Sequence, residues 1–310
     1  MLVGLIVTLT LQTAYSQVVP GTGTKIEVVG DDFESQPDWK YVPNYPKSSR
    51  NIDKQERGPL GFATNNRWLE GPHRGSPDIL RLVDTPVGGI EGSQKSLMIQ
   101  TKFPGIPGRK TGKPQQDDLL VKVKRILGQP VPATWSPNCV VRVHVPEYEE
   151  WEKRSGTSFG FRTDCWGRKG GSGELEQYWP GILINFRSNN DNKGHRENSA
   201  FLSVRGDHRG NDVKAIEVTP GWWTLGLSVT PNGMCHFYAR QGVENLEESD
   251  RMVSYYCYGF RAERMDLFFF NVVTMDNGGQ LSTPWIIDDP SFYCTTPMAF
   301  MPSDRRKKMR

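Results

Sequence analysis

The 310-residue sequence holds no stretch long and apolar enough for a membrane-spanning helix. Its apolar opening run, Met1 to Leu11 apart from Thr8 and Thr10, is too short to span a bilayer. Phosphate-cradling glycine loops are absent, as are Gly-x-Ser-x-Gly and His-Glu-x-x-His, so nucleotide chemistry, serine hydrolysis and zinc peptidase chemistry have no local signature. The five histidines, at 73, 144, 195, 208 and 236, include no pair at zinc-ligand spacing. The five cysteines, at 139, 165, 235, 257 and 294, include no Cys-x-x-Cys pair. A cysteine-based zinc or redox motif is thereby excluded; in an oxidising compartment two bridges and one free thiol are possible, with pairing left open. Internal repeats and heptads are missing too, which excludes solenoids and coiled coils.

Charge of one sign is also scarce. The formal net charge is +3, but Asp304–Arg310 holds five bases and one acid. Without that tail the chain is one charge short of neutral, so it carries no broad electrostatic footprint for nucleic acid.

Glycine (32) and proline (22) are plentiful, and charged residues make up 24% of the chain, a composition of many turns and few long helices in an ordinary globular protein. The opening run, followed by the small residues Ala14 and Ser16, reads as a signal peptide over 1–16, with export to the periplasm, cell surface or medium. Residues 17–29 read as a linker, 30–297 as one domain, and 298–310 as a basic tail. Residues 37–77, rich in Pro, Asn, Arg and Gly, read as long loops.

After that the chain reads as about a dozen short strands bounded by Gly, Asn, Asp or Pro. Cys139–Val145 is strongly β-branched, and Asp118–Arg125, Ser158–Arg162, Gly181–Arg187 and Asp266–Thr274 have strand-like patterns. Trp223–Thr230 and Met234–Arg240 flank Pro231-Asn232-Gly233, and Asn-Gly between two β runs is a hairpin signal. Only Glu147–Arg154 and Glu244–Val253 hint at helix. Strands spaced by turns without intervening helices predict an all-β sandwich or barrel.

Two features carry a resemblance. Val218-Thr219-Pro220-Gly221-Trp222-Trp223 runs through an alternating strand and turn into His236-Phe237-Tyr238-Ala239-Arg240. Asp31-Asp32-Phe33-Glu34 opens the domain, and Trp285-Ile286-Ile287-Asp288-Asp289-Pro290 closes it. The pattern resembles the concanavalin A-like lectins and glucanases, and is similar to uncharacterised secreted proteins of environmental bacteria. The resemblance implies a jelly-roll β-sandwich with long loops, little helix, and first and last strands side by side.

Candidate chemistry follows from residue types. Glycoside hydrolysis needs two carboxylates flanking the bond. Sandwich glucanases carry a Glu-x-Asp-x-x-Glu strand, and the matching positions here are Glu174, Glu176 and Trp179, with no acid at the third. Some jelly-roll lyases end in a Tyr-Phe-Lys-Ala-Gly strand; His236 and Tyr238 sit in a loosely similar run and could move the proton of a β-elimination. Trp39, Trp68, Trp166, Tyr178 and Trp179, near loop signals, offer stacking surfaces for sugar rings. Asp32, Glu34, Asp288 and Asp289 supply oxygens for a structural calcium ion if the end strands pair. The expected function is a carbohydrate-binding or structural module with a polysaccharide partner. The groove for such a partner is the concave sheet, rimmed by long loops from residues 37–77 and 163–180. The alternative is a glycoside hydrolase or polysaccharide lyase on the same fold.

Overall fold

The computed structural model describes residues 18–34, 39–171, 173–191 and 194–295. The expected signal peptide and basic tail lie outside the described residues. In chain order the strands are β1 (Thr24–Gly30), β2 (Tyr41–Val42), β3 (Phe62–Ala63), β4 (Trp68–Glu70), β5 (Ile79–Asp84) and β6 (Lys95–Gln100). There follow β7 (Pro114–Val121), β8 (Asn138–Val145), β9 (Gly156–Lys169), β10 (Glu176–Tyr178), β11 (Gly181–Arg187) and β12 (Ser199–Arg205). The last are β13 (Asp212–Val218), β14 (Gly221–Val229), β15 (Cys235–Gln241), β16 (Arg251–Tyr255), β17 (Phe260–Met275) and β18 (Trp285–Cys294).

These strands form two antiparallel sheets, a sandwich of the jelly-roll kind. The smaller, eight-stranded sheet runs β16-β15-β14-β8-β18-β6-β5, with β1 also on β18. The larger, ten-stranded sheet runs β13-β12-β11-β9-β17-β7-β4-β3-β2, with β10 also on β9. Strand alternation sends every second side chain between the sheets. Phe159, Phe161, Phe268 and Phe270 of the larger sheet meet Trp285 and Phe292 of the smaller, all fully buried. Each such ring contributes about 2–3 kcal/mol of burial.

The first and last strands do lie side by side, Thr24 opposite Cys294 and Lys25 opposite Tyr293. The stretch expected as linker therefore carries a strand of the domain, with Ile26 and Val29 in the core. The hairpin at Asn232-Gly233 is present: Thr230 and Met234 bond across it, and Asn232 Oδ1 accepts from the Met234 amide and the Thr230 hydroxyl. Gly233 has φ 82°, which suits glycine.

Several elements differ from expectation. Residues 37–77, expected as loops, carry β2, β3 and β4 and a short helix, Arg50–Asp53, and the expected rim loop 163–180 holds the end of β9 and all of β10, because backbone pairing with β7 and β9 orders these short runs despite their polar sequence. Asp118–Arg125 is strand only to Val121, and a short helix, α1 (Val123–Leu127), follows. Glu147–Arg154 keeps a single 3-10 turn at Tyr148–Glu150. Glu244–Val253 divides into a 3-10 turn, Glu248–Asp250, and the start of edge strand β16.

Candidate functional site

Along β9 the core takes Phe159, Phe161 and Cys165, so Gly160, Arg162, Asp164 and Trp166 face the other side of the larger sheet. Neighbouring strands complete rows across that outer face. One row is Asp118 (β7), Asn271 (β17), Gly160 (β9), Leu183 (β11) and Ser203 (β12). The next is Leu120, Phe269, Arg162, Gly181 and Arg205, and the next brings Leu267 beside Asp164.

The first two rows hold a chain of polar contacts. Asn271 Nδ2 donates to Asp118 Oδ1 at 2.7 Å, and Gln116 Nε2 donates to the same oxygen at 3.0 Å. Arg162 Nη1 lies 3.4 Å from Asn271 Oδ1, its Nη2 donates to the Trp179 carbonyl, and its guanidinium covers the Phe269 ring. Two glycines make room for this arrangement. A Cβ on Gly181 would overlap the Arg162 side chain, and one on Gly160 would meet Asn271 Oδ1 at 2.9 Å. Burial pushes the Asp118 carboxyl above its ordinary value, while Arg162, Asn271 and Arg74 pull the other way. Nearby, Arg74 Nη1 donates to Gln115 at 2.9 Å, and the His73 ring packs edge-on to Trp179 at 6.0 Å.

Several donors here are unused. Arg162 Nε, Arg74 Nε and His73 Nδ1 are buried with no hydrogen-bond partner among the described residues. Core groups such as Trp39 Nε1, the Tyr178 hydroxyl and Trp285 Nε1 share that state, so it does not set this face apart.

Beyond the Arg162 row the face opens into a cleft of about 340 Å³ lined by Lys122, Lys124, Arg125, Asp164, Trp166 and Asp266. Two irregularities of β17 against β9, at Ala262/Arg264 and Met265/Leu267, shape it, and bulges commonly re-aim side chains in this way. Asp164 Oδ1 accepts the Asp266 and Leu267 amides at 3.1 and 2.9 Å. Its Oδ2 accepts from Gln177 at 2.7 Å and Trp166 Nε1 at 3.2 Å. Burial pushes the Asp164 carboxyl up to about 6, against its bond from Gln177 and with a further push from Asp266. Arg264 lies over the Trp166 ring and lines a second cleft of similar size with Pro130, Pro132, Trp135 and Leu175.

The residues expected from sequence are scattered. Trp166 lines the first cleft, and Trp179 is half-buried beside Arg162 and His73. Trp39, Trp68 and Tyr178 are buried core residues, at 7%, 0% and 4% exposure, which removes them as stacking platforms for a sugar. Glu174 is in the turn before β10 and Glu176 opens that strand; both are exposed, and they do not share a strand.

His236 and Tyr238 belong to the smaller sheet and are buried at 2% and 0% exposure. The His236 ring contacts Ser254 at 2.7 Å and Thr230 at 3.1 Å, and Tyr238 donates to Glu248. Neither faces the polar rows of the larger sheet.

The four acids expected for calcium are partly drawn together. Glu34 Oε1 accepts the Gln94 and Lys95 amides, and Ser93 Oγ contacts both Glu34 and Asp288. Asp32 bonds the Glu34 amide, and Asp289 pairs with Arg142 and Lys25. Among the described residues no three of His, Cys, Asp or Glu are grouped so as to hold a metal ion.

Asp118, Arg162, Asp164 and Asn271 were not singled out from sequence. Their signal is the polar half of the alternation in β7, β9 and β17, which every half-exposed strand shows.

No family model and no curated protein matches the sequence. Similar solved structures include a carbohydrate esterase from the Shiga toxin-encoding bacteriophage phi24B, 11% identical over 74% of this chain and 91% of that one, with a TM-score of 0.42. A protein of unknown function from Shewanella oneidensis is 9% identical over 84% and 88%, with a TM-score of 0.39. An alginate lyase from Pseudomonas aeruginosa is 8% identical over 65% and 80%, with a TM-score of 0.34. At these scores the likeness carries no residue role across.

Proposed function

We propose that this chain binds a polysaccharide across the outer face of the larger sheet, between the Asp118–Asn271–Arg162 rows and the Trp166 cleft. The observation that carries the reading is the open cleft of about 340 Å³ that adjoins the polar rows and is lined by the Trp166 indole together with Lys122, Lys124, Arg125, Asp164 and Asp266. Sugar hydroxyls bond to cationic and carboxylate side chains of this kind, and the apolar CH face of a sugar ring packs on an indole. An extended polymer suits a site spread over three strands better than a compact ligand does.

A glycan array with the full chain tests this, with every hit assayed for turnover. Binding that falls in both Trp166→Ala and Arg162→Gln is expected. Absence of binding to any glycan, or binding that both variants leave intact, refutes it.

One observation favours cleavage as a second reading. Burial pushes the Asp164 carboxyl up to about 6, the condition of a carboxyl able to exchange a proton near neutrality, and burial raises Asp118 in the same direction. Release of reducing ends, or of unsaturated uronate absorbance, abolished by Asp164→Asn or Asp118→Asn, would establish it.

A further inference from the structure

Three of the five cysteines meet in the core. Cys165 (β9) faces inward from the larger sheet, Cys235 (β15) faces inward from the smaller, and Cys257 sits in the 3-10 turn Cys257–Gly259 that leads into β17. The chain paths converge there for a definite reason. The Ala262 amide donates to the Gly233 carbonyl at 2.9 Å, clamping the β14–β15 hairpin onto β17. Ala262 lies opposite Gly167, and Cys165 is two residues back from Gly167 on the same side of β9. Cys235 lies two residues beyond Gly233 and opposite Tyr255, and Cys257 is two residues beyond Tyr255. All three are buried, at 0%, 3% and 0% exposure. Cys235 is the centre of the group, since its sulfur is within hydrogen-bonding reach of both other thiols. Cys139 is joined to none of these, and Cys294 is shifted up by burial alone.

We infer that Cys235 is the hub of a disulfide that ties the two sheets together or ties β15 to the turn before β17, with Cys165 and Cys257 as its alternative partners. Cys235 can bond one of them at a time, so the third thiol remains beside the bond as an exchange partner. Hydrogen bonds from Cys165 and then Cys257 hold the Cys235 thiol below its ordinary value, while burial and Cys235 itself hold the other two above theirs. That ordering belongs to the closed core; in the open chain, where the oxidant acts, either end of the pair can take up the reagent, and the product is the same.

The oxidant is a low-molecular-weight disulfide, met before the sheets close. Where Cys235 takes up the reagent, its thiolate attacks one of the reagent's sulfurs and expels a thiolate, leaving a mixed disulfide on Cys235. The Cys165 or Cys257 thiolate then attacks the Cys235 sulfur and expels the second thiolate. The chain gives up two protons and two electrons, and the reagent is reduced to two thiols.

The test is to refold the full chain from urea with oxidised and reduced glutathione, block remaining thiols with iodoacetamide, digest without reduction and map linked peptides by mass spectrometry. The expected product links Cys235 to Cys165 or Cys257, with Cys139 and Cys294 alkylated. Alkylation of all five cysteines, or a bond that omits Cys235, overturns the inference. In Cys235→Ser no link is expected, and a Cys165–Cys257 bond there would overturn the hub assignment. If that variant does not fold, the map of the unaltered chain decides alone.

Discussion

Replacing Asp164 with asparagine should cost more stability in acid than at neutral pH. Burial, with a push from Asp266, raises the folded carboxyl from 3.8 to about 6. A carboxyl whose folded value lies above its unfolded one favours folding below the unfolded value, and that contribution is lost as pH rises through the folded value. Between about pH 4.5 and about pH 7.5, these two values make the loss about 2 kcal/mol. Asparagine does not titrate, so the variant lacks that slope. Its amide oxygen can still accept the Asp266 and Leu267 amides, but its NH2 then faces the Gln177 and Trp166 donors. Facing donors cost about 1–3 kcal/mol at either pH. The stability difference between wild type and variant should therefore be about 2 kcal/mol larger near pH 4.5 than near pH 7.5. Asp288, also pushed up to about 6 by burial, titrates in both proteins and cancels in the difference. Urea unfolding followed by tryptophan fluorescence at the two pH values, with matched m-values, measures it. A difference that is equal at both pH values, or larger at neutral pH, refutes the raised carboxyl and with it the argument for proton exchange at this cleft.

Two tryptophans expected to act alike should separate. Trp166→Ala should weaken glycan binding about tenfold by titration calorimetry with little change in Tm, whereas Trp68→Ala should lose about 3–5 kcal/mol of stability. Lys47, buried between Asp78 at 2.8 Å and Asp117 at 2.6 Å, holds both carboxylates in check. Lys47→Met should cost about 3–5 kcal/mol at neutral pH by urea denaturation, and less in acid, where the stranded carboxyls protonate.

Strand identity was legible wherever the alternation was regular, as in Cys139–Val145, or the turn chemistry explicit, as at Asn232-Gly233. β1 escaped because its register shifts between Lys25 and Gly30, so its core residues Ile26 and Val29 fall three apart and break the period of two. The aromatic residues failed for a different reason. Trp68 lies among polar loop residues in sequence, yet its indole nitrogen donates to Asp31 at 2.9 Å and its ring packs on Phe33 and Phe270. Those partners are distant in the chain, and no local pattern announces them. The polar rows of the larger sheet were hidden by their ordinariness. Arg162 and Asp164 look like any solvent-side strand residues until register places Gly181 and Asn271 beside Arg162 and Asp266 beside Asp164.

The two outer faces of the sandwich differ in how far loops close over them, and that difference decides which histidine adjoins the proposed binding face. On the smaller sheet, loops close over the face: Val140, Tyr238 and Leu246 form a satellite apolar cluster, and Arg142 is held by the Val243 carbonyl, Asn245 and Asp289. Both ring nitrogens of His236 are engaged, by Ser254 and Thr230. Beside the larger sheet, His73 packs edge-on to Trp179 next to Arg74, and its buried Nδ1 has no partner among the described residues. His236→Ala should therefore cost about 1–3 kcal/mol of stability, for two hydroxyls left without the ring, and leave glycan affinity unchanged. Burial holds the His236 ring below its ordinary value, so it contributes stability above that value that is lost as pH falls through the folded one, a loss the alanine variant should lack. His73→Ala should do the opposite, weakening glycan binding with little effect on urea unfolding. If His236→Ala lowers affinity while His73→Ala does not, the ligand lies on the smaller sheet.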